Sequence, residues 1–176
     1  MTTTSNDQLG FIFGRRSVRI YSPGEISPSI VTRLLEAAMA APSAMAKDPW
    51  RFVVIREPHM LTKLAGVLAG GKMLAGATIG IMVCGDLDAA LEQHWSFLLQ
   101  DCSAAIENLL LAASALRLGA CWVGVHPDEN SMCQLKELFA LPAMVMPVAV
   151  ISLGHPGEEP QARTRFNSSH VHFEKW

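Results

Sequence analysis

The chain of 176 residues carries 14 Lys plus Arg against 16 Asp plus Glu, a formal charge of −2. That balance argues against nucleic-acid binding by bulk charge. Half of the residues are apolar. This suffices for one domain over residues 1–176 and exceeds what a monomer of this size needs, so a buried subunit interface is expected.

The start, Met1 to Asp7, is polar and lacks the apolar stretch of a secretory signal. A short helix carrying Leu9, Phe11 and Ile12 follows. Ser27 can cap the next helix and Pro28 fits its first turn. Ile30, Val31, Leu34, Leu35 and Ala38 keep helical spacing, and the helix must stop before Pro42. Trp50 to Arg56 reads as a strand around Phe52-Val53-Val54-Ile55. Pro58 opens a helix to about Leu68, and Ile79 to Cys84 reads as a buried strand. The run from Leu64 to Cys84 is poor in charge but broken by glycines, so it is not expected to span a membrane.

A long helical region is predicted from about Leu87 to Leu118, apolar nearly all round in its second half and therefore buried. Gly119 ends it. Ala120 to Val125 is a strand, Glu129 to Phe139 an amphipathic helix, and Pro147 to Leu153 the last core strand. The tail from Gly154 is polar yet ends in Val171, Phe173 and Trp176, which suggests an arm that packs on something else. Helices alternating with strands imply helices around a central sheet, whose parallel or antiparallel character periodicity leaves open. The Gly-x-Gly-x-x-Gly fingerprint and the Walker P-loop are both absent, which disfavours a Rossmann dinucleotide site or a P-loop NTPase.

Cys84, Cys102, Cys121 and Cys133 are widely spaced and form no Cys-x-x-Cys. They read as free thiols in a reducing compartment, and with no targeting signal the cytoplasm is expected. No metal site is expected, since the histidines lack ligand spacing.

Three segments carry chemistry. Arg15-Arg16-Ser17-Val18-Arg19 and Arg163-Thr164-Arg165 put guanidinium forks near both ends of a slightly acidic chain. Such forks suit a local anion, above all a phosphate. Alternation along an extended segment lets Arg163 and Arg165 converge. Alone, the first cluster would more often be a solvated helix terminus. Between them lies Ala41-Pro42-Ser43-Ala44-Met45-Ala46-Lys47-Asp48-Pro49-Trp50.

Together with Asp101 to Leu110 and Gly119 to Gly124, these segments resemble the nitroreductase family of flavin mononucleotide (FMN) enzymes over nearly the whole chain. The resemblance implies an α+β fold. A central mixed, mostly antiparallel sheet is flanked by helices, in an obligate dimer that exchanges a C-terminal arm of about residues 154–176. It implies that Arg15, Arg16 and Ser17 hold the phosphate and ribityl end, completed by Arg163 and Arg165. Arg19 is either part of that site or a structural ion-pair partner. Pro42, Ser43, Ala44, Met45 and Ala46 match the loop lining the ring. Trp122 and Val123 match its back wall, and the Gly124 N–H matches the donor toward ring nitrogen N5. Lys72 matches a lysine at the pyrimidine edge, or is an ordinary surface lysine. Ala46 and Asp48 depart from an asparagine and a glutamine usual in the family; a carboxylate at position 48 near the pyrimidine edge would disfavour the reduced anion.

The activity implied is transfer of hydride from NAD(P)H through FMN to a small acceptor (a nitroaromatic, quinone or activated alkene) in a ping-pong cycle. No protein side chain is an evident acid or base catalyst, as expected where a cofactor carries the chemistry. Two alternatives stay open: specialised chemistry on the flavin or on a haloaromatic, and a flavin store or sensor without turnover.

Overall fold

The computed structural model describes residues 9–176, so the expectation for Met1 to Asp7 lies outside the described residues. Helix α1 (Gly10–Gly14) precedes the two-residue strand β1 (Tyr21–Ser22), helix α2 (Pro28–Met39) and strand β2 (Trp50–Ile55). Then come α3 (Pro58–Val67), β3 (Ile79–Asp86), α4 (Trp95–Ala115), β4 (Gly119–Gly124), α5 (Glu129–Leu138) and β5 (Val145–Pro156). Short 3-10 turns interrupt the connections at Ala44–Ala46, Lys72–Gly76 and Leu91–Gln93.

The sheet runs β2-β3-β5-β4, every pair antiparallel, with β1 paired to the end of β5. One parallel bridge, Ser17 to Ala120, joins the N-terminal segment to β4. Because successive side chains in a strand alternate, β3 sends Ile79, Ile81 and Val83 to one face and Met82 and Cys84 to the other. The first face packs on α2 and α4 through Leu34, Leu98, Ile106 and Leu109; the second packs on α3 and α5 through Leu61, Leu64 and Leu135. β3 is buried along nearly its whole length, as a central strand between two helical layers must be.

Ser27 caps α2, its Oγ accepting from Ile30 N at 3.4 Å, with Pro28 in the first turn. The predicted region 87–118 is not one helix. The chain adopts left-handed backbone at Glu92 (φ 53) and Gln93 (φ 50), and α4 starts afresh at Trp95. His94 caps it, its Nδ1 accepting from Ser96 N at 3.1 Å. Among the described residues no helix is long and apolar enough to cross a membrane. From Gln161 onward every residue of the tail is exposed, Phe166, Phe173 and Trp176 included.

Candidate functional site

The N-terminal segment leaves α1 extended and reaches the outer edge of β4, where Val18 N donates to Ala120 O at 3.0 Å. This anchors Arg15 and Arg16 off one end of β4. Arg15 Nε lies 3.4 Å from Glu107 on α4, and Arg16 Nη1 donates to Gln161 O at 2.8 Å. The C-terminal tail is strapped to the same segment. Gly157 N donates to Ile20 O at 2.8 Å, and Glu158 Oε1 accepts from Arg19 N at 2.6 Å and Ile20 N at 3.1 Å. The strap brings Arg163 and Arg165 to Arg16. Partial desolvation, then repulsion from Arg163, Arg165 and Arg15, hold the Arg16 guanidinium below its usual range. Like charges gathered this way await a counter-anion. Beside them is a cleft of about 170 Å³ lined by Arg15, Arg16, Ser114 and Arg117 over an apolar floor that includes Leu110 and Ala120.

Beyond Ala120 no strand pairs with the outer edge of β4 among the described residues, and that edge is open. Ala120 O points outward to Val18, whereas Val125 N points inward to Val148 O. Backbone polar groups alternate sides along a strand, so the N–H groups of Trp122 and Gly124 face the open edge. Trp122 is 37 % exposed and Val123 is buried in the core. A Cβ on Gly124 would meet only His126 O, 4.0 Å away, so a flat molecule can lie close against this backbone. Cys121 lies beneath; burial pushes its thiol up, opposed by Arg19, the Ser17 hydroxyl and Arg15. An anion-gathering cluster at one end of an open, glycine-bearing strand edge suits a planar heteroaromatic with a phosphorylated tail.

The Pro42–Asp48 loop is built elsewhere. Ser43 Oγ donates to Asp48 Oδ1 at 2.5 Å and accepts from Asp48 N at 3.0 Å, while Ala44 N donates to Asp101 Oδ1 at 2.9 Å. The loop leads into β2, and the register Phe52–Val83–Ala149–Gly124 runs across the sheet. Three inter-strand spacings separate β2 from β4, roughly 14 Å.

The model of the Nitroreductase family matches residues 12–71 and 66–155. The chain belongs to the nitroreductase family. A protein of Archaeoglobus fulgidus, provisionally named as an NADH dehydrogenase/NAD(P)H nitroreductase, is 42 % identical over 171 residues, covering 96 % of this chain and 98 % of that one. A crystal structure from Bacteroides thetaiotaomicron, with the same provisional name, superposes with a TM-score of 0.91 at 34 % identity, covering 98 % of this chain and all of that one. One from Desulfovibrio desulfuricans, provisionally named as a nitroreductase and crystallised in complex with FMN, gives 0.85 at 34 % identity, covering 98 % and 99 %.

Within this nitroreductase-family chain, the predicted residues fall into two groups. Arg15, Arg16, Arg163 and Arg165 gather near the Gly119–Ala120 end of β4, beside Ser17, and Trp122 and Gly124 follow along the same strand toward its other end. Arg19 leaves β4 with its backbone held by Glu158, its side chain exposed. Pro42, Ser43, Ala44, Met45 and Ala46 sit toward the opposite edge of the same sheet. Lys72 is exposed at the start of its 3-10 turn and makes no ion pair among the described residues. The Asp48 carboxylate accepts from the Ser43 hydroxyl and closes the loop.

Sequence reasoning missed two residues here. Arg117 lines the cleft from a left-handed position (φ 58) past the end of α4, and looks in the sequence like part of a plain turn. Asp101 holds the loop. Its signal was an acid in register with the apolar stripe Leu98, Cys102, Ala105 and Leu109.

Proposed function

We propose that the protein is an FMN-dependent NAD(P)H oxidoreductase that works as a homodimer. It takes hydride from reduced nicotinamide and reduces a small organic acceptor, a nitroaromatic, quinone or activated alkene, in a ping-pong cycle. The observation that carries this reading is the meeting of Arg15 and Arg16 with Arg163 and Arg165 at the end of the open β4 edge. The residues fit the cofactor. A dianionic phosphate relieves repulsion among guanidinium groups and accepts their paired donors. The outward N–H of Gly124 is the donor we assign to ring nitrogen N5, with the backbone at Trp122 and Val123 as the wall behind the ring. Bound FMN supplies the redox chemistry, and the protein supplies position and charge. Relatives named as FMN reductase and NADPH-flavin oxidoreductase support the assignment.

A second copy completes the site. The open edge of β4 faces away from β2, into which the Pro42–Ala46 loop leads, and this favours the loop of a partner subunit as the second wall of the ring site. Phe11, Ile12 and Phe13 on α1, Met45 on the loop and Phe166, Phe173 and Trp176 on the tail are exposed. They supply the apolar area that a stable dimer buries, with the tail as the arm laid on the partner. Four free thiols fit a reducing cytoplasm.

The test is the visible spectrum of the purified protein. A flavin band that NADH or NADPH bleaches anaerobically, and that an added quinone or nitroaromatic restores, is expected. Colourless protein that takes up no FMN in a titration defeats the reading.

A further inference from the structure

Asp101 is the one acidic side chain among the buried polar residues described, 4 % exposed; the others are Ser131 and Ser152. Burying a carboxylate is costly unless its partners repay it. Its Oδ1 accepts from Ala44 N at 2.9 Å, and its Oδ2 is buried without a hydrogen-bond partner among the described residues. Core packing alone gives no reason to keep an acid there.

The segment it holds is strained. Met45 (φ 51), Ala46 (φ 52) and Asp48 (φ 49) all adopt left-handed backbone, which side chains with a Cβ disfavour. Such a run persists only where its surroundings over-determine it. Three attachments do so: the Ser43–Asp48 clasp, Arg51 Nη1 donating to Asp48 O at 3.2 Å, and Asp101. Arg51 and Asp48 are exposed, whereas Asp101 reaches the loop from inside α4. Asn108, two helical turns along the same stripe of α4, donates to Ala37 O at 3.1 Å near the end of α2. α4 thus fixes the entry to the α2–β2 connection with Asn108 and its turn with Asp101.

We propose that Asp101 is a positioning residue of the cofactor site: its carboxylate holds the Ala44–Asp48 turn in the shape that meets the flavin ring in the partner subunit. This rests on the functional reading above. What Asp101 must supply is an acceptor oxygen in one place, rather than charge.

The experiment compares full-length Asp101→Ala and Asp101→Asn with the unaltered protein. FMN and riboflavin are titrated separately, at a temperature where far-UV circular dichroism shows each flavin-free variant folded. Asp101→Ala is expected to weaken FMN and riboflavin by the same factor, at least tenfold, because the ring end is damaged and the phosphate end is not. Asp101→Asn keeps an acceptor for Ala44 N and is expected to stay within threefold of the unaltered protein for both ligands. Should Asp101→Ala not fold, Asp101→Ser, whose hydroxyl falls short of Ala44, carries the same expectation. The proposal is overturned if the truncated variant binds both flavins normally, if it loses FMN alone, or if Asp101→Asn is as damaged as the truncation. Failure of the unaltered protein to bind FMN is a different result, and it overturns the functional reading itself.

Discussion

Replacing Gly124 with alanine separates folding from cofactor binding. The backbone there lies outside the positive-φ region, and the new methyl would meet only His126 O at 4.0 Å, an ordinary contact. Folding stability should therefore stay within about 0.5 kcal/mol, with any change toward stabilisation from a stiffer unfolded chain. A ring that reaches over this position to accept from Gly124 N meets the new methyl, which projects from the sheet face beside that N–H. Pushing the ring off the strand stretches the hydrogen bond from Gly124 N, worth about 1–1.5 kcal/mol. It also forfeits a comparable amount of van der Waals contact, for a total of about 2–3 kcal/mol. That corresponds to FMN binding weakened roughly 30- to 150-fold. Gly85→Ala is the counterpart. Its Cβ would sit 2.3 Å from Leu98 Cδ2 and 2.4 Å from Leu98 Cγ, in the sealed core. It should cost about 1–3 kcal/mol of stability through overpacking. Thermal melts of the flavin-free proteins and FMN titrations read the two effects separately. Normal FMN affinity in Gly124→Ala, or a melting loss as large as that of Gly85→Ala, refutes the assignment of the β4 edge.

The double variant Arg163→Ala/Arg165→Ala removes two charge-assisted partners of the phosphate. FMN affinity should fall at least about 100-fold while riboflavin affinity is unchanged; equal losses for both ligands contradict a phosphate role. Ala46→Asn puts a residue that tolerates left-handed backbone at φ 52. It should leave melting unchanged and shift flavin affinity or midpoint potential, and a titration with no change in either removes position 46 from the site. Alkaline stability follows from buried protonated groups. Burial raises the pKa of Tyr21 to about 12 from 10.0, and those of Cys84 and Cys102 to about 12 from 9.0, with a hydrogen bond from Ser152 opposing the rise at Tyr21. Each group's contribution is fully present below its unfolded-state pKa and is lost as pH climbs toward the folded one. The urea midpoint should hold below pH 9 and decline from there to pH 12, less steeply above pH 10 in Tyr21→Phe; a flat profile contradicts the burial.

Much of the architecture was written locally. Ser27 and Pro28 fixed the start of α2 because a cap and a preset φ act within one turn. The β-branched core of β2 and the short apolar run of β3, bounded by Pro and Gly residues, were legible as strands. The break before α4 was hidden because apolar spacing continues through it; left-handed Glu92 and Gln93 and a histidine cap leave no such trace. β1, two residues long, carries no period to detect. At the site, the sequence put arginines at both ends but held no sign of what joins them. The joining is done by Glu158 and Gly157 gripping the backbone of Arg19 and Ile20, contacts about 140 positions apart in the chain. The reach of the Pro42–Ala46 loop was likewise invisible, because it depends on strand order across the whole sheet.

The stretch of β4 past Ala120 presents outward N–H groups that no neighbouring strand receives among the described residues. An unguarded ladder of this kind is a template for foreign chains, and proteins ordinarily blunt it with charge, proline or a covering element. Under the function proposed above, FMN and a partner subunit would form that shield. Newly made polypeptide starved of riboflavin phosphate should accordingly clump, and light scattering during refolding with and without that compound would register the difference.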